Sequence, residues 1–199
     1  MKKYKNKTNK KAFTLIELLA VIVILGVLMI TAIPAVTQAI AKSRRDTYAT
    51  NAKKIIDAVR TSVLNEEFVV PATENTPETT CQLPGIGQFL RIDLMKSPSN
   101  TDSKTVIEQL LERGGTKSSF NQDYALGYVW ISNVGKANST IDKYVYYIFL
   151  TDKGGNGTKT LVAENDMTRN KIYIKTAPTD SFTGNPGSSN PNYTCEYSG

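Results

Sequence analysis

The 199-residue chain contains no histidine. That absence removes the commonest general base, the commonest metal ligand and every catalytic triad built on imidazole. Cysteine is almost as scarce. Only Cys81 and Cys195 occur, so a structural zinc site with four Cys and His ligands is excluded. No nucleophile–base pair stands out, and the expectation is a protein that is not an enzyme and holds neither cofactor nor metal. Phosphate-binding loops are missing too: Gly85-Ile86-Gly87 is a fragment of such a pattern without its strand–turn–helix setting. Asp152 to Gly157 sets acidic and amide oxygens among glycines. It lacks the spaced ligands and closing Glu of an EF-hand, and the expectation there is a turn.

The net charge of +6 at first suggests an acidic partner. Its distribution argues otherwise. Lys2, Lys3, Lys5, Lys7, Lys10 and Lys11 all precede Ala12, and setting these six aside leaves 18 basic residues against 18 acidic ones. The body of the chain is neutral and offers no clear nucleic-acid site. Trp130 and the ten tyrosines are therefore assigned to the core and to subunit contacts rather than to base stacking.

The basic leader runs into an apolar stretch, Leu18 to Val36, with no charge between Glu17 and Lys42. About 20 residues at ~1.5 Å each cross a bilayer core. Lysines before the run, with Lys42, Arg44 and Arg45 after it, favour a cytoplasmic N-terminus and an outside C-terminal body. Three other readings compete. Ala39-Ile40-Ala41 resembles a signal-peptidase site, but the run exceeds the h-region of about 7–15 residues. A plain anchor and a buried core helix are the others. Glu17 discriminates among them. A carboxylate costs roughly 2.5–3.5 kcal/mol at the bilayer centre and less near its edge. A signal peptide or simple anchor gains nothing from it, so Glu17 calls for a cation as partner.

The stretch Lys10-Lys11-Ala12-Phe13-Thr14-Leu15-Ile16-Glu17-Leu18-Leu19 resembles the processing and assembly motif of type IV pilins and their pseudopilin relatives. The resemblance implies cleavage between Ala12 and Phe13 by a prepilin peptidase, methylation of the new Phe13 amine by the same kind of enzyme, and a Glu at the fifth mature position, here Glu17. Ala12 stands where the family usually has Gly. Gly26 and Pro34 sit where the family often carries helix-softening residues. Phe13 and Glu17 lie i and i+4 on one helix face. An incoming subunit, offset along the axis, can bring its Phe13 amine to this Glu17, and the cost of an unpaired buried carboxylate then sets the register.

Past the membrane the helical pattern continues: Tyr48, Ala52, Ile55, Ile56, Val59 and Val63 form one stripe. A helix from Phe13 to about Asn65 is ~80 Å long, with Pro34 expected to loosen it near Met29–Ile33. Residues 70–101 read as a long connection, with a short helix or strand at Phe89–Met95. Ser103–Arg113 reads as a short helix. Strand candidates are Tyr124–Val134, Lys143–Thr151, Lys159–Glu164 and Lys171–Thr176, the second and third joined by a turn at Asp152–Gly157.

The expected fold is α+β: a long N-terminal helix, its first half in the membrane, packed on a small antiparallel sheet. The expected divisions are a leader (1–12), a transmembrane and assembly half-helix (13–41), an amphipathic half-helix (42–65) and an extracellular domain (66–199). Both cysteines fall on the outer side, where disulfides persist. A Cys81–Cys195 bridge, pinning a tail rich in Gly, Pro, Ser and Asn, is weighed against two free thiols. Asn138, Asn156 and Asn192 match the glycosylation acceptor pattern. The resemblance implies a structural subunit, anchored once in the cell membrane and then polymerised with identical or related subunits into a surface pilus or a secretion or competence pseudopilus. The alternative is a monomeric, membrane-anchored extracellular binding module.

Overall fold

The computed structural model describes residues 13–70, 77–95, 105–110, 117–135, 143–179 and 193–197. The chain divides into two compact units, Met1–Ala41 and Lys42–Gly199. Helix α1 (Leu15–Leu64) contributes to both. In the first unit every helical residue from Leu15 to Ile40 is exposed. This is the one helix among the described residues that is long and apolar enough to cross a membrane. In the second unit α1 buries Tyr48, Ala49, Ala52, Ile55, Ile56, Val59, Ser62 and Val63, the stripe that the three- and four-residue spacing demands.

The end of α1 departs from the usual glycine stop. Glu66 takes a positive φ of 63°. Its N–H donates to the Val63 carbonyl at 3.2 Å, and the Glu67 N–H donates to the Ser62 carbonyl at 3.0 Å. These paired bonds form a Schellman closure, built here on a residue that carries a Cβ.

The strands are β1 (Phe68–Val70), β2 (Thr79–Thr80), β3 (Phe89–Asp93), β4 (Tyr124–Asn133), β5 (Tyr144–Asp152), β6 (Val162–Ala163) and β7 (Tyr193–Tyr197). They are ordered β2-β1-β7-β3-β4-β5-β6. Two antiparallel parts, β2-β1-β7 and β3-β4-β5-β6, meet where β7 runs parallel to β3 with Arg91 opposite Thr194. The fold is therefore α+β, a long apolar helix with small antiparallel sheets. Leu90 and Ile92 of β3, Val129 and Ile131 of β4, and Ile148 and Leu150 of β5 alternate onto one face and join the buried α1 stripe in a single core. Short helix α2 (Val106–Leu110) buries Val106 and Ile107. It is tied to the sheet by the Ile107 N–H donating to the Leu94 carbonyl at 3.0 Å.

Several expectations are corrected. The candidate strand at Lys159–Glu164 shrinks to β6, because a 3-10 turn takes over at Glu164–Asp166. Lys171–Thr176 is not a strand: a 3-10 turn covers Arg169–Lys171, and only Tyr173 bridges back, to Gly157. The connection after β1 contributes β2 and β3, and the polar tail contributes β7. In the tail, pairing on both sides and the Cys81–Cys195 disulfide (Cα atoms 6.2 Å apart) supply what local propensity lacks. Asn138 and Asn192 lie outside the described residues, as do both ends of the helix expected at Ser103–Arg113.

The Asp152–Gly157 turn forms as expected and locks α1 to the sheet. Asp152 is fully buried. Its Oδ1 accepts the N–H groups of Gly154 (3.0 Å) and Asn156 (2.9 Å), and Ser118 Oγ donates to Oδ2 at 2.5 Å. The Tyr48 hydroxyl, arriving from α1, is shared between the carbonyls of Leu150 (3.2 Å) and Asn156 (3.3 Å). Burial pushes the Tyr48 phenol well above its ordinary range, with Tyr124 and the Asp152 carboxylate adding to the effect. Burial, helped by Asp152, likewise lifts Tyr124 to about 12. Farther along α1, the Arg60 guanidinium lies 4.4 Å over the Tyr146 ring and pairs with Glu164 at 2.6 Å.

Candidate anchoring and assembly site

The first unit presents its chemistry at one end. Phe13 is 87% exposed, and the helix begins two residues later. Glu17, the carboxylate ahead of the apolar run, does not bond Phe13 within the chain. Its Oε2 accepts both the N–H and the hydroxyl of Thr14, each at 2.8 Å. In return the Glu17 N–H donates to Thr14 Oγ1 at 3.3 Å. This reciprocal pattern is a capping box: Thr14 satisfies a donor of the first turn, and Glu17 three residues on satisfies Thr14. The acidic side chain also suits the positive end of the helix.

Thr14 is the residue that the sequence reading passed over. Its signal was present, since Thr14-Leu15-Ile16-Glu17 ahead of an apolar run has the spacing of a capping box. The box has a chemical consequence. Both Thr14 bonds fall on Oε2. The carboxylate is thus held in one orientation, with Oε1 carrying the acceptor capacity that a second, cationic donor can use.

Of the other residues singled out, Ala12 lies outside the described residues. Beyond its own turn of helix, Gly26 has no atom of the described residues within 4 Å of where a Cβ would stand, so no packing contact among them requires a glycine there. Pro34 sits inside α1, which continues through it. Two threonine hydroxyls donate to backbone carbonyls around this position, Thr31 to Leu28 at 2.9 Å and Thr37 to Pro34 at 3.0 Å. Cys81 and Cys195 are joined in the second unit. Among the described residues no group of His, Cys, Asp and Glu is arranged to hold a metal ion.

Residues 7–33 match the family model of the prokaryotic N-terminal methylation motif, the signature of type IV pilins and pseudopilins. The match spans the end of the basic leader, the Phe13–Glu17 segment and most of the apolar run. The motif marks a type IV pilin-like prepilin, belongs to structural rather than catalytic proteins, and implies processing by a prepilin peptidase and association with pilin subunits. No solved structure matches the chain.

Proposed function

We propose that this chain is a filament subunit. It is made as a membrane-anchored precursor, cut between Ala12 and Phe13, methylated on the Phe13 amine, and polymerised into a type IV pilus or a related secretion or competence pseudopilus. One observation carries the reading. Inside the methylation motif, a carboxylate stands at the head of an exposed apolar helix and is oriented there by Thr14. Burying that helix among copies of itself removes lipid contact from its exposed side chains. Burying Glu17 with it is tolerable only if a cation arrives. Cleavage creates that cation at Phe13. In this reading residues 1–12 are discarded, 13–41 anchor and then assemble, and 42–199 form the outward-facing body.

Two measurements test the proposal. Mass spectrometry of the mature N-terminus should find methylated Phe13. An intact Met1, or a start at Lys42, would support a simple anchored or secreted domain instead. Glu17→Ala should leave insertion and cleavage intact but lower sheared surface filament, measured by immunoblot against membrane-retained mature subunit. Removing one member of a buried pair costs about 3–5 kcal/mol, roughly two to three and a half orders of magnitude in subunit affinity. Equal filament yield from Glu17→Ala and the unsubstituted chain would sink the assembly role, and the monomeric anchored module would be the better reading.

A further inference from the structure

The neutral composition of the body conceals an uneven distribution of charge. The first turns of α1 in the second unit carry Lys42 and Arg44, directly after Ala41. Three contacts gather other basic segments onto these turns. The Ser119 hydroxyl donates to the Arg44 carbonyl at 2.8 Å, which sets Lys117 beside the helix. Arg169 Nε lies 3.2 Å from Asp46, which sets the Arg169–Lys171 turn there as well. Asn156, whose carbonyl meets the Tyr48 hydroxyl, accepts the Lys175 N–H on its Oδ1 at 3.2 Å. Lys42, Arg44, Lys117, Arg169, Lys171 and Lys175 are all exposed.

The acidic residues of these segments do not balance them. Asp46 is paired with Arg169, and Asp123 with Lys153 at 3.3 Å. Glu164 is paired with Arg60, and Asp152 is buried with its oxygens turned into the turn that it organises. That leaves Asp166 as the exposed acid in these segments outside an ion pair among the described residues. The helix rises only ~9 Å from Lys42 to Tyr48, about one Debye length at physiological salt. Lys42 and Arg44 follow the apolar run directly in the sequence.

We propose that this rim is a docking surface for anionic phospholipid headgroups, holding the body of the anchored subunit against the bilayer before assembly. The inference rests on the reading of residues 13–41 as a membrane anchor. Five of these cations, Lys42, Arg44, Lys117, Lys171 and Lys175, stand outside any ion pair among the described residues. Spread over separate segments, they make a surface rather than a pocket, and a layer of headgroups fits it better than a single ion. Each engaged Lys or Arg favours the docked orientation about fivefold near an anionic leaflet, and salt weakens the effect. A subunit leaving the membrane must release this contact, so lipid charge sets how readily the body detaches.

The test uses the full chain in nanodiscs of phosphatidylcholine, with or without phosphatidylglycerol, followed by hydrogen exchange. Segments 117–123 and 169–175 should exchange about tenfold more slowly in the anionic discs. That protection should vanish in high salt and in a Lys117→Glu, Lys171→Glu double variant, whose positions make no ion pair among the described residues. Equal exchange in the two kinds of disc overturns the proposal, as does protection that survives the substitutions. If inorganic phosphate protects the same segments in detergent-solubilised chain, the rim is a free-anion site and the lipid assignment is wrong. A chain that does not stay with the discs at all overturns the anchor reading itself. That failure is seen before exchange begins and is distinct from a docking failure.

Discussion

Gly157 and Glu66 both adopt positive φ, at 140° and 63°, and substitution at the two should act in opposite directions. A Cβ on Gly157 would collide with the Leu150 carbonyl oxygen and lie 2.8 Å from the Tyr48 hydroxyl. Both neighbours belong to the lock between α1 and the sheet, so neither can give way cheaply. Gly157→Ala should cost about 3 kcal/mol or more, read as a lower denaturation midpoint of the detergent-solubilised chain. Glu66→Gly relieves a left-handed residue of its Cβ at the Schellman closure and should raise the same midpoint by about 0.5–1 kcal/mol. The sequence announced one of these positions and hid the other. A Gly inside Asp152–Gly157 marks a turn. A Glu carries no local sign that it will close a helix, and the stop is set instead by Phe68 entering the core directly after it. Glu17 was legible because a charge beside an apolar run has few structural excuses. Thr14 was equally legible by spacing, but its role rests on a reciprocal bond with Glu17 that a single residue type does not announce.

At the scale of elements, α1, β4 and β5 were legible because each carries its own period. The α1 stripe recurs at three and four residues, while β4 and β5 are long runs rich in β-branched and aromatic residues. The short strands β1, β2 and β6 have no room to show a period. β7 is assigned by its neighbours, since it pairs with β1 on one side and β3 on the other. The disulfide holds β7 in that slot across a separation of 114 residues. A Cys81→Ser, Cys195→Ser double variant should lose about 2–5 kcal/mol of stability. Its amides at 193–197 and 68–70 should exchange faster together, because β1 reaches the rest of the sheet through β7. Those in the centre of β4 and β5, paired along nine register positions, should keep their protection. Uniform acceleration across all strands would show that the disulfide supports the whole sheet rather than one joint.

For the molecule as a whole, the buried tyrosines fix the response to alkali. Tyr48, Tyr124 and Tyr146 all have phenols raised by burial, Tyr124 to about 12. An unfolded tyrosine titrates near ~10, so the unfolded chain gives up these protons first. The stabilisation is fully present below ~10 and is lost as pH climbs through the folded values. Tyr124 alone accounts for about 2–3 kcal/mol of that loss. Denaturation midpoints should be insensitive to these groups from neutral pH to about 10 and then fall steeply, with tyrosinate absorbance rising in the same step. Tyrosines exposed to solvent titrate ahead of this step. Ionisation of all ten tyrosines with no loss of structure would contradict the burial of Tyr48 and Tyr124.

The place of β7 also bears on how the molecule is made. Synthesis proceeds from the N-terminus, so α1 and strands β1 to β6 all exist before the residues of β7 appear. Throughout that interval the gap between β1 and β3 stands open, and the Cys81 thiol waits for one 114 positions behind it. Proteins with four or more cysteines must choose among pairings and repair the wrong ones. Here the chain holds two cysteines in all, so within one molecule there is nothing to choose. Forming this bond then requires an oxidant but no reshuffling of disulfides, and the error left to avoid is a bond between two unfinished chains.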